Sequence, residues 1–226
     1  MKRLFSAALI FALSINAFAQ MGFGGFGGFQ VNNDNLKYSE KFSDINYAGD
    51  DNAYHTLDIY LPEVEKDSYP VVIHIYGSAW FSNNSKGAAD LNTICAALLK
   101  AGYAVVTPNH RAISDAKYPA QIHDIKAVIR FVRGEAKKYK FDTSFVGISG
   151  FSSGGHLASL AATTTGEKTY KLGTESVDLE GSLGNYTSFS SDVDAACDWS
   201  GPIDLLNMDC GEAMMMNPSP EEQLIG

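Results

Sequence analysis

The chain has little cysteine, a deficit of basic residues and no apolar run long enough to cross a bilayer. Three cysteines in 226 residues, Cys95, Cys197 and Cys210, are too few for a disulfide framework. Their spacing matches no zinc or haem pattern. Seventeen Lys and Arg against 26 Asp and Glu give a formal net charge of −9. That balance leaves no electrostatic footprint for nucleic acid or for anionic membranes. Residues 4–15 form the main apolar stretch, shorter than the roughly 20 residues that a spanning helix requires. Lys2 and Arg3 precede it and Ala17-Phe18-Ala19, a small-x-small pattern, follows. This is the layout of a secretory signal peptide over residues 1–19, so the chain is expected to be exported, to the periplasm or beyond, without a membrane anchor. In an oxidising compartment Cys197 and Cys210 could pair, or both could remain thiols.

What is present is enough for one sizeable core. Hydrophobic residues make up 45% of the chain, with thirteen Phe and eleven Tyr, and one domain is expected from this length. The Gly- and Phe-punctuated stretch "MGFGGFGGFQVNND" cannot bury a face, and residues 20–36 read as a flexible leader ahead of a domain over 37–226. From there the pattern alternates. "HTLDIYLP" (55–62) has the period of a strand near a sheet edge, and "PVVIHIYG" (70–77) that of a strand buried on both faces. "ADLNTICAALLKAG" predicts a helix, "YAVVTPNHR" a strand, and "PAQIHDIKAVIRFVRGEAKKY" a helix with Ile122, Ile125, Ile129 and Val132 on its apolar face. "FVGISG" predicts a short buried strand, "GGHLASLAATT" a helix of small residues, and "VDAACDWSGP" a further strand covered on both faces. Strand–helix repetition at this pitch predicts an α/β fold with a mostly parallel sheet. Residues 165–192, polar and rich in Gly, Ser and Thr, break the rhythm and are expected to border a binding face.

The stretch "GISGFSSGGHLA" (147–158) carries the chemistry. Gly150-Phe151-Ser152-Ser153-Gly154 fits G-x-S-x-G with Ser152 at its centre, between a predicted strand and a predicted helix. A nucleophile on so sharp a turn needs small neighbours, because the backbone crowds itself there. The Ser153 N–H would face a developing oxyanion beside the helix N-terminus. Upstream, the small residues Gly77, Ser78 and Ala79 close the buried strand, where a second backbone donor is needed.

"PVVIHIYGSAWF", "YAVVTPNHR", "KYPAQIHDIKAVIRFV", "VGISGFSSGGHLA", "SDVDAACDWSGPIDLL" and "SPEEQLIG" together resemble the α/β-hydrolase esterases. The similarity is to the branch of hormone-sensitive lipase and the bifunctional feruloyl/acetyl-xylan esterases, and it runs over roughly residues 55–226. It implies a three-layer sandwich and a cofactor-free serine esterase acting on a small-molecule or polysaccharide ester. Ser152 would be the nucleophile, with an oxyanion hole drawn from the backbone of Gly77, Ser78, Ala79 and Ser153. It further implies that Arg111 and Asp124 form a structural ion pair, that Asp204 supports the border of the site, and that His156 is structural. Where that family has His-Gly-Gly, this chain has Tyr76-Gly77-Ser78, which implies a modified oxyanion loop.

The order of a triad on this fold is Ser, then Asp or Glu, then His. After Ser152 the chain carries only His156, which lies just inside the nucleophile helix. The acid and the histidine are therefore expected beyond Gly226, and the domain to lack its last strands and helices. His74 is expected to be a satisfied core residue, and His55, His110 and His123 to lie away from Ser152. The Met214–Met216 run reads as core filling. Two other readings stay open: a non-catalytic binding protein on this fold, and an amidase or peptidase using the same triad.

Overall fold

The computed structural model describes residues 33–205, 207–208 and 217–226. The expected signal peptide, Cys210 and Met214–Met216 lie outside the described residues, as does the expected leader up to residue 32. Eight strands are described: β1 (Glu40–Asn46), β2 (Thr56–Leu61), β3 (Tyr69–Ile75), β4 (Ala104–Pro108), β5 (Phe141–Phe151), β6 (Thr169–Leu172), β7 (Glu175–Asp178) and β8 (Ala195–Trp199). The α-helices are α1 (Ala96–Lys100), α2 (Ala120–Gly134), α3 (Ser153–Thr163) and α4 (Pro220–Ile225).

Six strands form one sheet in the order β1-β2-β4-β3-β5-β8. The first two pairings are antiparallel and the remainder parallel. Val71, Ile73 and Ile75 of β3 are fully buried, as an unbroken apolar strand at the centre of a parallel sheet should be. Their side chains join Ile122, Ile125, Ile129 and Val132 of α2 and Leu157, Ala158 and Ala161 of α3 in the main core. A smaller cluster of Tyr60, Leu91, Cys95, Leu99 and Val105 packs around α1. The residues expected to begin that helix, Leu91–Cys95, wind instead as a π-turn ahead of it.

Other departures have local causes. The register of β1 on β2 shifts between Phe42 and Ile45. There Asp44 takes φ 55° and its N–H donates to Asp58 Oδ1 at 3.0 Å. Lys86 closes the bulge, with Nζ 2.7 Å from both Asp44 and Asp58. Strand β8, expected to be covered on both faces, stands at the outer edge of the sheet with all five residues exposed, since β5 is its single neighbour in the sheet. Helix α4 starts with a capping box, Ser219 Oγ accepting from Glu222 N–H while Glu222 returns a bond to the Ser219 N–H. Its Leu224 is buried against the main core.

Residues 165–192 break the strand–helix rhythm as expected. They form the β6–β7 hairpin and then strap α2. Arg130 Nη1 meets Glu180 Oε1 at 2.5 Å, Arg130 Nη2 donates to the Leu183 carbonyl at 3.0 Å, and Lys126 Nζ donates to Glu180 Oε2 at 3.3 Å. Arg133 reaches the carbonyls of Ser190 and Asp192. Lys126 and Arg130 are each 1% exposed, so the basic side of α2 is sealed rather than solvated. Buried cations need partners, and the strap supplies them.

A second polar core lies where the β1–β2 connection meets α2. Arg111 Nη2 and Nε hold Asp124 Oδ1 at 2.6 and 3.0 Å. His55 lies between two carboxylates, its Nδ1 2.7 Å from Asp50 and its Nε2 3.6 Å from Asp124, an ion-pair rather than a hydrogen-bond distance. Burial alone would lower the His55 pKa, but Asp124 and then Asp50 outweigh it and raise it above 6.5. The protonated form therefore binds better in the folded state than in the unfolded one. Its stabilisation is complete below the unfolded pKa of about 6.5 and is lost as pH rises through the higher folded value. Thermal melts from pH 5.5 to 8.5 should show the protein losing stability relative to His55→Gln toward the alkaline end. Parallel curves would refute this.

Candidate active site

Strand β5 ends at Phe151, α3 begins at Ser153, and Ser152 makes the turn between them at φ 53°, ψ −122°. A side chain rarely tolerates that region, and the surrounding contacts must hold it there. The Ser152 N–H donates to the Trp199 carbonyl at 2.8 Å, and the Ser152 carbonyl accepts from His156 N–H at 3.0 Å. Among the described residues its Oγ has no hydrogen-bond partner. The glycines of the motif are steric necessities. A Cβ on Gly154 would stand 2.5 Å from the Tyr76 carbonyl oxygen and closer still to that of Ile75. A Cβ on Gly150 would strike the backbone of Gly154. Gly154→Ala should push α3 off β3 and cost about 1–3 kcal/mol, as overpacked sites do. A urea-unfolding midpoint equal to the parent's would contradict this.

The loop after β3 runs beside this turn. A Cβ on Gly77 would lie 2.7 Å from the Phe151 carbonyl oxygen and 2.9 Å from Ser152 Cβ, so Gly77 is what lets the two loops touch. Tyr76, in place of the family's histidine, is fully buried. Its ring stacks on His110 at 5.0 Å and its hydroxyl donates to the Ser82 carbonyl at 2.8 Å, closing the loop. Ala79 and Trp80 take φ 48° and 59° in succession. Trp80 is buried edge-on against the His156 ring, 5.2 Å between centroids.

The four backbone positions expected to form an oxyanion hole thus lie in one place, but not on equal terms. The Ser78 N–H, expected to be free for substrate, donates to Ser153 Oγ at 2.9 Å. Gly77 serves close approach. That leaves the N–H groups of Ala79 and Ser153, the latter in the first turn of α3, where backbone donors have no helical partner.

None of the five histidines shares a hydrogen bond with Ser152 Oγ. His74 is fully buried, with Nδ1 2.6 Å from Ser149 Oγ and Nε2 3.4 Å from Asp90. His123 Nε2 donates to the Asp178 carbonyl. His110 is buried, which lowers its pKa. Burial pushes His156 down to about 4, against a small opposing pull from Asp198, so it stays neutral at ordinary pH. Asp204 bonds Asn207 rather than any residue of the turn. Asp198, not singled out from sequence, ties β8 to α3. Its Oδ2 accepts from Ser159 Oγ at 2.7 Å and its Oδ1 from Gly201 N–H at 2.6 Å. Cys197 is exposed, and its candidate partner Cys210 is outside the described residues.

The BD-FAE family model matches residues 57–226. The probable carboxylic ester hydrolase LipM of Mycobacterium tuberculosis is 30% identical over 80% of this chain and 39% of its own length. A solved bifunctional GH43-CE from Bacteroides eggerthii is 56% identical, with a TM-score of 0.77 over 82% of this chain and 24% of that one. A truncated carbohydrate esterase from gut microbiota is 50% identical, with a TM-score of 0.78 over 84% of this chain and 67% of that one. The chain spans about two fifths of the length of the curated relatives it matches, 39% of LipM and 40% of LipQ. With its mostly parallel sheet and its α/β-hydrolase neighbours, the chain belongs to the BD-FAE family.

Proposed function

We propose that the protein is an exported serine esterase that cleaves carboxylic acyl esters through an acyl-enzyme on Ser152. The observation that carries this reading is the strained turn. Ser152 is held at φ 53° between β5 and α3, its hydroxyl unengaged among the described residues, beside a loop with two consecutive left-handed residues. Such strain is stable only when the surroundings enforce it, and among the described residues neither the Ser152 hydroxyl nor the N–H groups of Ala79 and Ser153 have a hydrogen-bond partner. Attack of the Ser152 oxygen on an ester carbonyl would place the oxyanion against the N–H groups of Ala79 and Ser153. The alcohol then leaves, and water releases the acid. The base that takes the Ser152 proton and the acid that orients it lie outside the contacts described here.

Acetyl or feruloyl groups on plant polysaccharide are the proposed substrates. Likeness to a carbohydrate esterase and to a bifunctional GH43-CE supports this, as does the signal-peptide layout of residues 1–19. The test uses protein made from its native locus, assayed on acetylated xylan and short-chain aryl esters and treated with a fluorophosphonate. Hydrolysis together with a phosphonyl adduct mapped to Ser152 is the expected result. Neither hydrolysis nor an adduct would favour the non-catalytic binding reading.

A further inference from the structure

The Ser153 hydroxyl reaches across from the nucleophile helix to the neighbouring loop. It accepts the Ser78 N–H at 2.9 Å, and among the described residues this is the sole side-chain hydrogen bond between residues 76–82 and 151–157. Ser153 is 1% exposed, so water does not compete freely for that bond. The loop it reaches needs holding. Ala79 and Trp80 both sit at positive φ without being glycine, and each such residue costs roughly 1–2 kcal/mol against right-handed backbone. Trp80 packs on the His156 ring of α3 without a hydrogen bond, and the loop's other hydrogen bonds run elsewhere. The Phe81 N–H donates back to the Ser78 carbonyl, the Ile113 N–H donates to the Trp80 carbonyl, and the Tyr76 hydroxyl donates to Ser82.

We propose that Ser153 is a positioning residue: its hydroxyl latches the loop to α3 and so holds the Ala79 N–H in register with Ser152 and with the N–H of Ser153 itself. Ser78 is then the loop's anchor point, and its N–H is withdrawn from the oxyanion hole. The Ser153 position supplies two separable functions, a backbone donor to substrate and a side-chain acceptor to the loop. Removing the hydroxyl removes one and leaves the other. The assignment rests on the esterase reading for its kinetic consequence, but the latch itself does not.

The experiment compares Ser153→Ala and Ser153→Thr with the parent, each as the complete protein from its native locus. Loss of the latch should lower kcat by roughly 10- to 100-fold, the scale of a small misplacement of catalytic groups, with KM within twofold. Fluorophosphonate inactivation should slow in parallel, and the threonine variant, which keeps the hydroxyl, should recover most of the rate. A faster Ser153→Ala enzyme would mean that the hydroxyl merely blocks the Ser78 donor, and an unchanged kcat would mean that it positions nothing. Either overturns the proposal. Hydrogen exchange of the peptide spanning residues 76–82 gives a readout independent of turnover. Faster exchange in Ser153→Ala and parent-like exchange in Ser153→Thr is expected. Unchanged exchange in Ser153→Ala overturns the latch, whether or not the protein proves to be an esterase.

Discussion

Ser152→Ala is expected to lower kcat/KM on aryl esters by about 10⁴- to 10⁶-fold, the range found when the nucleophile of a serine triad is removed. On the proposed mechanism the loss should fall on kcat, because the proposed N–H donors of Ala79 and Ser153 remain. Stability should respond in the opposite sense. At φ 53°, ψ −122° Ser152 occupies backbone space that glycine enters freely, so Ser152→Gly should be more stable than the parent by about 1–3 kcal/mol while equally inactive. Paired urea titrations and aryl-acetate assays check both halves. Retained hydrolysis in Ser152→Ala would end the nucleophile assignment, and a less stable Ser152→Gly would show that the turn is not strained.

Glu180→Ala should be the most damaging change away from the site. It leaves Arg130 and Lys126, each 1% exposed, without their carboxylate partner. Removing one member of a buried pair costs about 3–5 kcal/mol, because the remaining charge is uncompensated. Glu180 is itself 20% exposed, so the lower end of that range applies. Even so, it is a large share of the roughly 5–15 kcal/mol that holds a domain together. The effect has a pH signature. Burial would raise the Glu180 pKa, but hydrogen bonds from Ser191 and Arg130 and the charges of Lys126 and Arg130 bring it below its usual 4.5. A lowered carboxylate pKa stabilises above the unfolded value and ceases to do so as pH falls through the folded one. Urea midpoints of the parent and of Glu180→Gln should therefore differ most at neutral pH and converge in acid. A constant difference would contradict the assignment.

Much of the architecture is readable locally, and what is not readable is consistently non-local. The continuous apolar runs of β3 and β4 and the helical spacing of Ile122, Ile125, Ile129 and Val132 each announce their element, because burial on two faces or on one stripe leaves a period in the residues. Strand β1, "EKFSDIN", leaves none. Its bulge at Asp44 interrupts the alternation, and the reason for the bulge is Asp58 on the next strand. The β6–β7 hairpin is mostly exposed and polar, so no face records it. Lys126 and Arg130 look like the solvated side of an amphipathic helix until Glu180, 54 and 50 residues on, is brought beside them. The turn at Ser152 is legible because G-x-S-x-G encodes its own steric requirement. The bond between Ser78 and Ser153 is not, because it joins residues 75 apart.

The separation of Arg130 from Glu180 by 50 residues also sets an order on assembly. During synthesis at about 5–20 residues per second, Glu180 emerges roughly 3–10 s after Arg130. Throughout that interval α2 is an open helix whose cations face water, and its apolar stripe can dock on β3 and β4 before its basic side has anything to meet. Strands β1 to β5 can pair in that time, but β8 follows Glu180 in the chain and joins the sheet later. The closing of this side of α2 is therefore electrostatic rather than hydrophobic in character: a carboxylate 50 residues on covers charges that would otherwise stay wet.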